Sequence, residues 1–142
     1  MENVVSLARS DQEIQGCFDV MVELRPHLKR EEFVSRIRRQ QEGSGYELAY
    51  VTAGSVKAVA GFRISECLAW GKFLYVDDLV ARSGDRSQGY GGILFDWLVS
   101  HAREAGCNEF HLDSGVQRFD AHRFYLKRRM AIEAHHFGLK LT

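Results

Sequence analysis

Residues 85–92 (D-R-S-Q-G-Y-G-G) combine an arginine with three glycines in four positions. The segment follows a hydrophobic run, residues 73–80, and precedes an amphipathic one that starts at Ile93. The first turn of a helix carries unpaired N–H groups and a partial positive charge, and glycine lets an anion approach that backbone closely. The spacing therefore indicates a phosphate-binding turn between a strand and a helix.

Two common phosphate-binding patterns fit this turn poorly. In the pattern G-x-x-x-x-G-K, Gly84 and Gly89 have the required spacing, but Tyr90 occupies the position of the lysine. In the dinucleotide pattern G-x-G-x-x-G, Gly89 and Gly91 supply the first two glycines, but Leu94 occupies the position of the third. A nucleoside triphosphatase and a dinucleotide-binding enzyme are both disfavoured.

A third pattern, R-x-x-G-x-G, fits as Arg86, Gly89 and Gly91. With these residues the sequence resembles the GNAT superfamily of N-acetyltransferases, in which this segment wraps the pyrophosphate of acetyl-coenzyme A. The family follows the loop with a long helix, a strand and a helix that carries A-x-x-F-Y. That motif is present here as Ala121, Phe124 and Tyr125, and the resemblance is specific over residues 74–130.

The resemblance implies acetyl-coenzyme A as co-substrate, with no metal. Pantetheine would lie along the main chain at the end of the strand before the loop, in a gap between two splayed strands, and the loop would hold the pyrophosphate. The residues expected to bind the coenzyme are Leu79, Val80, Ala81, Arg86, Ser87, Gln88, Gly89, Tyr90, Gly91 and Gly92.

Tyr125 matches the family tyrosine that faces the coenzyme sulfur, so the resemblance implies that it donates a proton to the departing thiolate. Its spacing from Ala121 and Phe124 also predicts the core face of a helix. Both interpretations can hold, because a tyrosine packs its ring and offers its hydroxyl.

The general base stays open among Asp77, Asp78, His111 and water. Asp77 and Asp78 are adjacent on a strand, so we expect them to face opposite ways, with at most one in the cleft. His111 has a suitable pKa for a base, but it shares a strand face with Glu109 and Asp113, which favours a structural hydrogen-bonded network.

The acceptor follows less directly from the sequence. The four carboxylates just named would make the groove acidic, which predicts cationic acceptors such as polyamines, amino acids or lysine side chains. A metal site at His111 and Asp113 is not expected, and His135 and His136 would point to opposite faces of a strand. Residues 20–50 and 65–73 are expected to determine the acceptor.

The predicted elements run β-α-α-β-β-β-α-β-α-β, and the middle β-α-β is a candidate right-handed parallel crossover. This predicts an α/β fold with a mixed sheet, flanked by helices, of the GNAT type, in a single domain over residues 1–142. The predicted strands are residues 3–8, 46–51, 56–68, 73–81, 108–113 and 132–141, and the predicted helices are 10–25, 30–42, 93–105 and 120–129.

Composition narrows the class of protein. Among 142 residues, 45% are hydrophobic, which suffices for a core, and nineteen basic side chains balance nineteen acidic ones. Bulk charge therefore gives no reason to expect nucleic acid or membrane as a partner. Cys17, Cys67 and Cys107 are odd in number and widely spaced, which predicts reduced thiols in a cytoplasmic protein.

Together these features predict an N-acetyltransferase that moves the acetyl group of acetyl-coenzyme A to a primary amine of a small molecule or peptide. A non-catalytic acyl-coenzyme A-binding domain that regulates a partner is the alternative. The sequence leaves open the oligomeric state, monomer or homodimer, and the use of other acyl groups.

Overall fold

The computed structural model describes residues 2–142, in two compact units that meet in sequence between His111 and Leu112. The prediction of a single domain stays a prediction. No helix within residues 2–142 is both long and apolar enough to cross a bilayer. In chain order the elements are β1 (Val4–Leu7), α1 (Asp11–Gly16), α2 (Phe18–Leu24), α3 (Phe33–Ser44), β2 (Glu47–Thr52), β3 (Val56–Cys67), β4 (Gly71–Ala81), α4 (Tyr90–Glu104), β5 (Glu109–Leu112) and α5 (Phe119–Lys127).

The sheet has the strand order β1-β2-β3-β4-β5, and the first four strands pair antiparallel. The fifth runs parallel to β4, because the beginnings of the two strands lie side by side. Asn108 N donates to Lys72 O at 2.7 Å, and Lys72 N donates to Asn108 Oδ1 at 3.1 Å. The predicted mixed α/β fold is confirmed.

A β-bulge interrupts β4 at Asp77. Gly61 of β3 lies opposite Asp78, and Phe62 lies opposite Val76, so Asp77 is an extra residue on β4. β5 begins beside the start of β4 but has four residues against eleven. β4 therefore continues past the end of β5, in its last residues before the glycine-rich loop.

Helices cover both faces of the sheet. On one face, Phe18 and Met21 of α2 and Phe33 of α3 pack with Val59 and Val80. On the other face, rings of α4 lie against the sheet. Phe62 meets Trp97 edge-on with ring centroids 6.4 Å apart, and Phe95 meets Phe110 at 5.2 Å. The middle of the sheet, at β3 and β4, is therefore covered on both faces.

The helix predicted over residues 10–25 is divided in two. α1 ends at Gly16, and the next amide, Cys17 N, donates to Ile14 O at 3.0 Å. The hydrogen bonds of α2 begin with Met21 N, which donates to Cys17 O at 3.0 Å. Glycine is a weak helix former, so the break falls beside it. Ser10 caps the start of α1, because Ser10 Oγ accepts from Glu13 N at 3.0 Å.

The strand predicted over residues 132–141 is wrong, since this segment contains neither helix nor strand. The alternation of Phe137, Leu139 and Leu141 supplies an apolar face, but a strand also needs a neighbour for its backbone. All three side chains are more than 80% exposed. The strand argument about His135 and His136 fails with it; His136 Nδ1 lies 2.8 Å from Asp113 Oδ2.

Candidate functional site

The glycine-rich loop contains a short helix that the sequence did not indicate. A 3-10 helix over Ser83–Gln88 leads to Gly89, whose φ of 81° is a left-handed conformation that favours glycine. The first bond of α4 runs from Ile93 N to Gly89 O at 3.1 Å. The amides of residues 90–92 precede it, so they have no partner within the helix. The fifteen-residue helix α4 therefore begins with amides available to an anion.

The packing around Gly91 does not require a glycine at this position. A Cβ added there would meet one neighbouring atom, Ala81 Cβ, at 3.9 Å, which is an ordinary contact. Alanine would fit and would favour the helix. The glycine instead leaves space in front of the first-turn amides.

Asp85 stabilises the loop through contacts with two basic side chains. It is 8% exposed, and it accepts from Arg82 Nε at 2.6 Å, with Lys57 Nζ at 3.5 Å. Burial raises the pKa of Asp85, but the charges and hydrogen bonds of Arg82 and Lys57 more than offset this, so the pKa lies below its usual value. Asp85 was not among the predicted site residues; the one local signal for it in the sequence is the arginine three residues earlier, Arg82.

Arg86, a predicted pyrophosphate ligand, lies exposed at the edge of the loop. Its Nε donates to Ala81 O at 3.2 Å, and its Nη2 lies 3.5 Å from Glu23 Oε1. The same Glu23 oxygen accepts from Ser83 N at 3.0 Å. A carboxylate at the end of α2 therefore contacts the loop, which the sequence did not suggest.

The predicted pantetheine residues are the last three of β4. Val80 is buried in the core, whereas Leu79 and Ala81 are half-buried. All three face β3 partners along the antiparallel ladder, from Ala60 to Ala58. The predicted coenzyme residues are thus continuous in space from β4 through the loop into α4.

A cavity of about 490 Å³ lies between the end of α2, helix α3 and the bulge of β4. Asp77 and Asp78 both line it. The prediction that they face opposite ways, with at most one in the cleft, is wrong, because a bulge breaks the alternation of side chains along a strand.

Each of the two carboxylates is held by charged or hydroxyl partners. Asp78 accepts from Arg25 Nε and from Tyr46 Oη, both at 2.8 Å. Asp77 accepts from Arg63 through two guanidinium nitrogens, at 2.8 and 3.0 Å. Burial, with the Asp78 charge second, raises the pKa of Tyr46 well above its usual value, so its hydroxyl stays protonated and donates.

Gly61 makes room for this arrangement. A Cβ added there would lie 1.6 Å from Tyr46 Oη, so only glycine lets the tyrosine cross β3 and reach Asp78.

This cavity differs from the acidic groove predicted between the splayed strands, because Glu109 and Asp113 are not among its lining residues. Its walls carry Arg25, Arg36 and Arg63 against two aspartates, and His27 also lines it. Most of its lining comes from residues 21–46, within the predicted acceptor region 20–50, and no residue of 65–73 lines it in the part of the chain that the structure describes. The arginines were missed because their spacing in sequence does not indicate a common cavity.

His111 forms part of the hydrogen-bonded network that the sequence favoured, with Glu109, whereas Asp113 pairs with His136. The Nε2 atom of His111 lies 2.7 Å from Glu109 Oε1, and its ring stacks on Trp70 with centroids 3.5 Å apart. The choice of general base stays open.

Tyr125 lies on α5, in the second unit. It is half-buried, as are Ala121 and Phe124, and its ring meets that of Phe124 edge-on at 5.4 Å. Burial raises the pKa of Tyr125, while the charge of Arg118 acts more weakly in the other direction. The phenol is therefore protonated at neutral pH, and its catalytic role stays a prediction.

Comparison with known proteins gives a consistent result. The sequence model of the acetyltransferase (GNAT) family matches residues 8–130. An uncharacterized N-acetyltransferase of Bacillus subtilis (strain 168), YhdJ, is 35% identical over 130 residues, which are 90% of this chain and 92% of that protein. An aminoalkylphosphonate N-acetyltransferase of Salmonella typhimurium is 38% identical over 52 residues, 37% of this chain and 34% of that protein. The structure of glucosamine-6-phosphate N-acetyltransferase from Arabidopsis thaliana is similar in fold, with a TM-score of 0.78 over 100% of both chains and 19% identity.

Proposed function

Because the chain belongs to the GNAT family of acetyltransferases, we propose that it transfers the acetyl group of acetyl-coenzyme A to a primary amine of a small molecule or peptide. The observation that carries this proposal is the start of α4. There, a left-handed glycine, open amides and the empty space at Gly91 together form a surface that fits a pyrophosphate.

The coenzyme would bind in two parts. Its pyrophosphate would accept hydrogen bonds from the amides of residues 89–92, with Arg86, Ser87 and Gln88 beside them. Pantetheine would run along the main chain of Leu79, Val80 and Ala81, where β4 continues past β5. The Leu79 N–H would then donate to the thioester carbonyl and stabilise the negative charge that develops on its oxygen. This chemistry requires no metal.

The transfer itself exchanges a C–S bond for a C–N bond. The acceptor ammonium first loses a proton, and the neutral nitrogen attacks the thioester carbon. The nitrogen then loses a second proton, and the coenzyme leaves as a thiolate that takes up one. Tyr125 would supply that last proton, since its raised pKa keeps it protonated. Asp77 and Asp78, which line the cavity, His111 or a water would accept protons from the nitrogen.

The relatives bear on the acceptor only through their names. One that matches over part of the chain is named for an aminoalkylphosphonate, and a structural neighbour for glucosamine 6-phosphate. Both names describe amines, which supports a primary amine as the acceptor here. The three unpaired cysteines fit a cytoplasmic location, which is part of the same proposal.

The test is release of free thiol from acetyl-coenzyme A against a panel of amines, with the protein's own three cysteines subtracted as an amine-free blank. Amine-dependent thiol release, with an acetylated product identified by mass spectrometry, is the expected result. Coenzyme binding without thiol release for any amine would favour the non-catalytic regulatory alternative. Failure to bind the coenzyme would overturn both.

A further inference from the structure

The cavity beside the β4 bulge holds more positive than negative charge. Arg63 is paired with Asp77, and Arg25 with Asp78. The third arginine of the cavity, Arg36 on α3, has no aspartate to pair with there. It is half-buried, and its side chain forms no hydrogen bond or ion pair with any residue between 2 and 142. A guanidinium turned into a cavity without a partner is a binding group for an anion.

Other polar side chains line the cavity along the same helix. Gln40 and Ser44 follow Arg36 at successive four-residue steps of α3, so the three lie on one face. His27 lines the cavity as well. Phe33 and Ile37 of the same helix are buried and form an apolar floor. The result is a pocket with an unpaired positive group and hydrogen-bonding neighbours.

We propose that the acceptor amine carries an anionic group, a carboxylate or a phosphonate, that binds Arg36. The inference rests on the proposed acetyl transfer and narrows its acceptor. The amine end would lie toward the bulge, where the carboxylate oxygens of Asp78 keep lone pairs beyond those used by Arg25 and Tyr46. Asp78 directly precedes Leu79, whose N–H is the proposed partner of the thioester carbonyl. Polycationic acceptors, in contrast, would meet three arginines.

The first experiment compares acceptors with and without an anionic group. β-Alanine is paired with β-alaninamide, and 3-aminopropylphosphonate with butylamine. We expect kcat/KM to be about tenfold or more higher for the anionic member of each pair, since a charge-assisted hydrogen bond typically contributes at least that much. Arg36→Gln should remove this advantage through KM, with kcat and the neutral amines little changed.

Arg39→Gln is the matched control, because Arg39 is an exposed arginine of the same helix that does not line the cavity. It should retain the preference for anionic acceptors. Equal kcat/KM for the two members of both pairs in the unsubstituted protein would overturn the inference. So would an Arg36→Gln variant that lowers turnover of anionic and neutral amines alike.

A second measurement does not depend on turnover. Calorimetric titration with 3-aminopropylphosphonate should show binding to the unsubstituted protein and to Arg39→Gln, and binding at least tenfold weaker to Arg36→Gln. Equal binding to all three, or to none, would overturn the inference. Arg36-dependent binding with no thiol release from any amine would support the anion site and contradict the proposed acetyl transfer, so the two failures are distinguishable.

Discussion

At the scale of single residues, Tyr125 offers the most direct test of mechanism. Burial raises its pKa, so the hydroxyl is protonated at neutral pH and remains so into the alkaline range. Tyr125→Phe keeps the ring and its packing on Phe124 while removing one proton. If that proton goes to the leaving thiolate, kcat should fall about 10²–10⁴-fold with little change in coenzyme affinity, measured by steady-state kinetics and calorimetry.

Tyr50→Phe is the matched control for this change. Tyr50 lies on β2, far along the chain from the proposed coenzyme residues, and is also half-buried. Its hydroxyl donates to Glu13 Oε2 at 3.0 Å. Its removal should cost about 1 kcal/mol of stability and leave kcat unchanged. Full turnover by Tyr125→Phe, with only a lowered melting temperature, would remove Tyr125 from the mechanism.

At the scale of elements, the short helix α2 contacts both parts of the proposed site. Glu23 accepts a hydrogen bond from Ser83 N in the loop, and Arg25, just after the helix, holds Asp78 at the bulge. α2 has seven residues and follows a six-residue helix, so neither is stable by itself. Their position depends on packing and on the cap at the start of α1.

That cap makes stability depend on pH. Hydrogen bonds to the Glu13 carboxylate, first from Ser10 N and then from the Tyr50 hydroxyl and from Arg9 N, lower the pKa of Glu13 to about 2. An unfolded glutamate titrates near 4.3, so the stability from ionised Glu13 is present above that pH and is lost as pH falls toward 2. The unsubstituted protein should therefore unfold at a higher urea concentration than Glu13→Gln at pH 5. The difference between their urea midpoints should be smaller at pH 3.

Glu31→Gln controls for the general loss of negative charge, because Glu31 is exposed and its side chain bonds to no other residue that the structure describes. The difference between the urea midpoints of Glu31→Gln and the unsubstituted protein should not decline in this way from pH 5 to pH 3. A Glu13→Gln difference that stays constant down to pH 3 would show that the ionised carboxylate does not stabilise the cap.

At the scale of the whole molecule, local patterns predicted the sheet, the helices and the loop, because each has a signal within a few residues. The glycines before Ile93 and the alternation of β5 are examples. The bulge at Asp77 has no such signal, since it arises from the register between β3 and β4. The cavity likewise joins Arg25, Arg36 and Arg63 from three distant segments. The prediction of a last strand over residues 132–141 was wrong for the same reason, because a strand requires a partner that its own sequence does not specify.

Coenzyme binding should stabilise the whole molecule, which gives a test independent of the acceptor. At about 100 times its dissociation constant, coenzyme A should add about 2.7 kcal/mol, which raises the melting temperature of a chain of this size by roughly 5–10 °C. Gly91→Glu should abolish that rise. A glutamate in the first turn of α4 suits the helix dipole, and its Cβ would meet only Ala81 Cβ, so the protein should stay folded, but its carboxylate should repel the pyrophosphate.

Gly43→Glu adds the same side chain where a new Cβ meets no nearby atom, on α3 and away from the loop. Its melting temperature should rise with coenzyme A as that of the unsubstituted protein does. If all three proteins show the same rise, the coenzyme binds without the amides of α4, and the assignment of residues 89–92 is wrong. If only Gly91→Glu loses it, the left-handed Gly89 and the space at Gly91 explain why this chain begins a fifteen-residue helix with glycines.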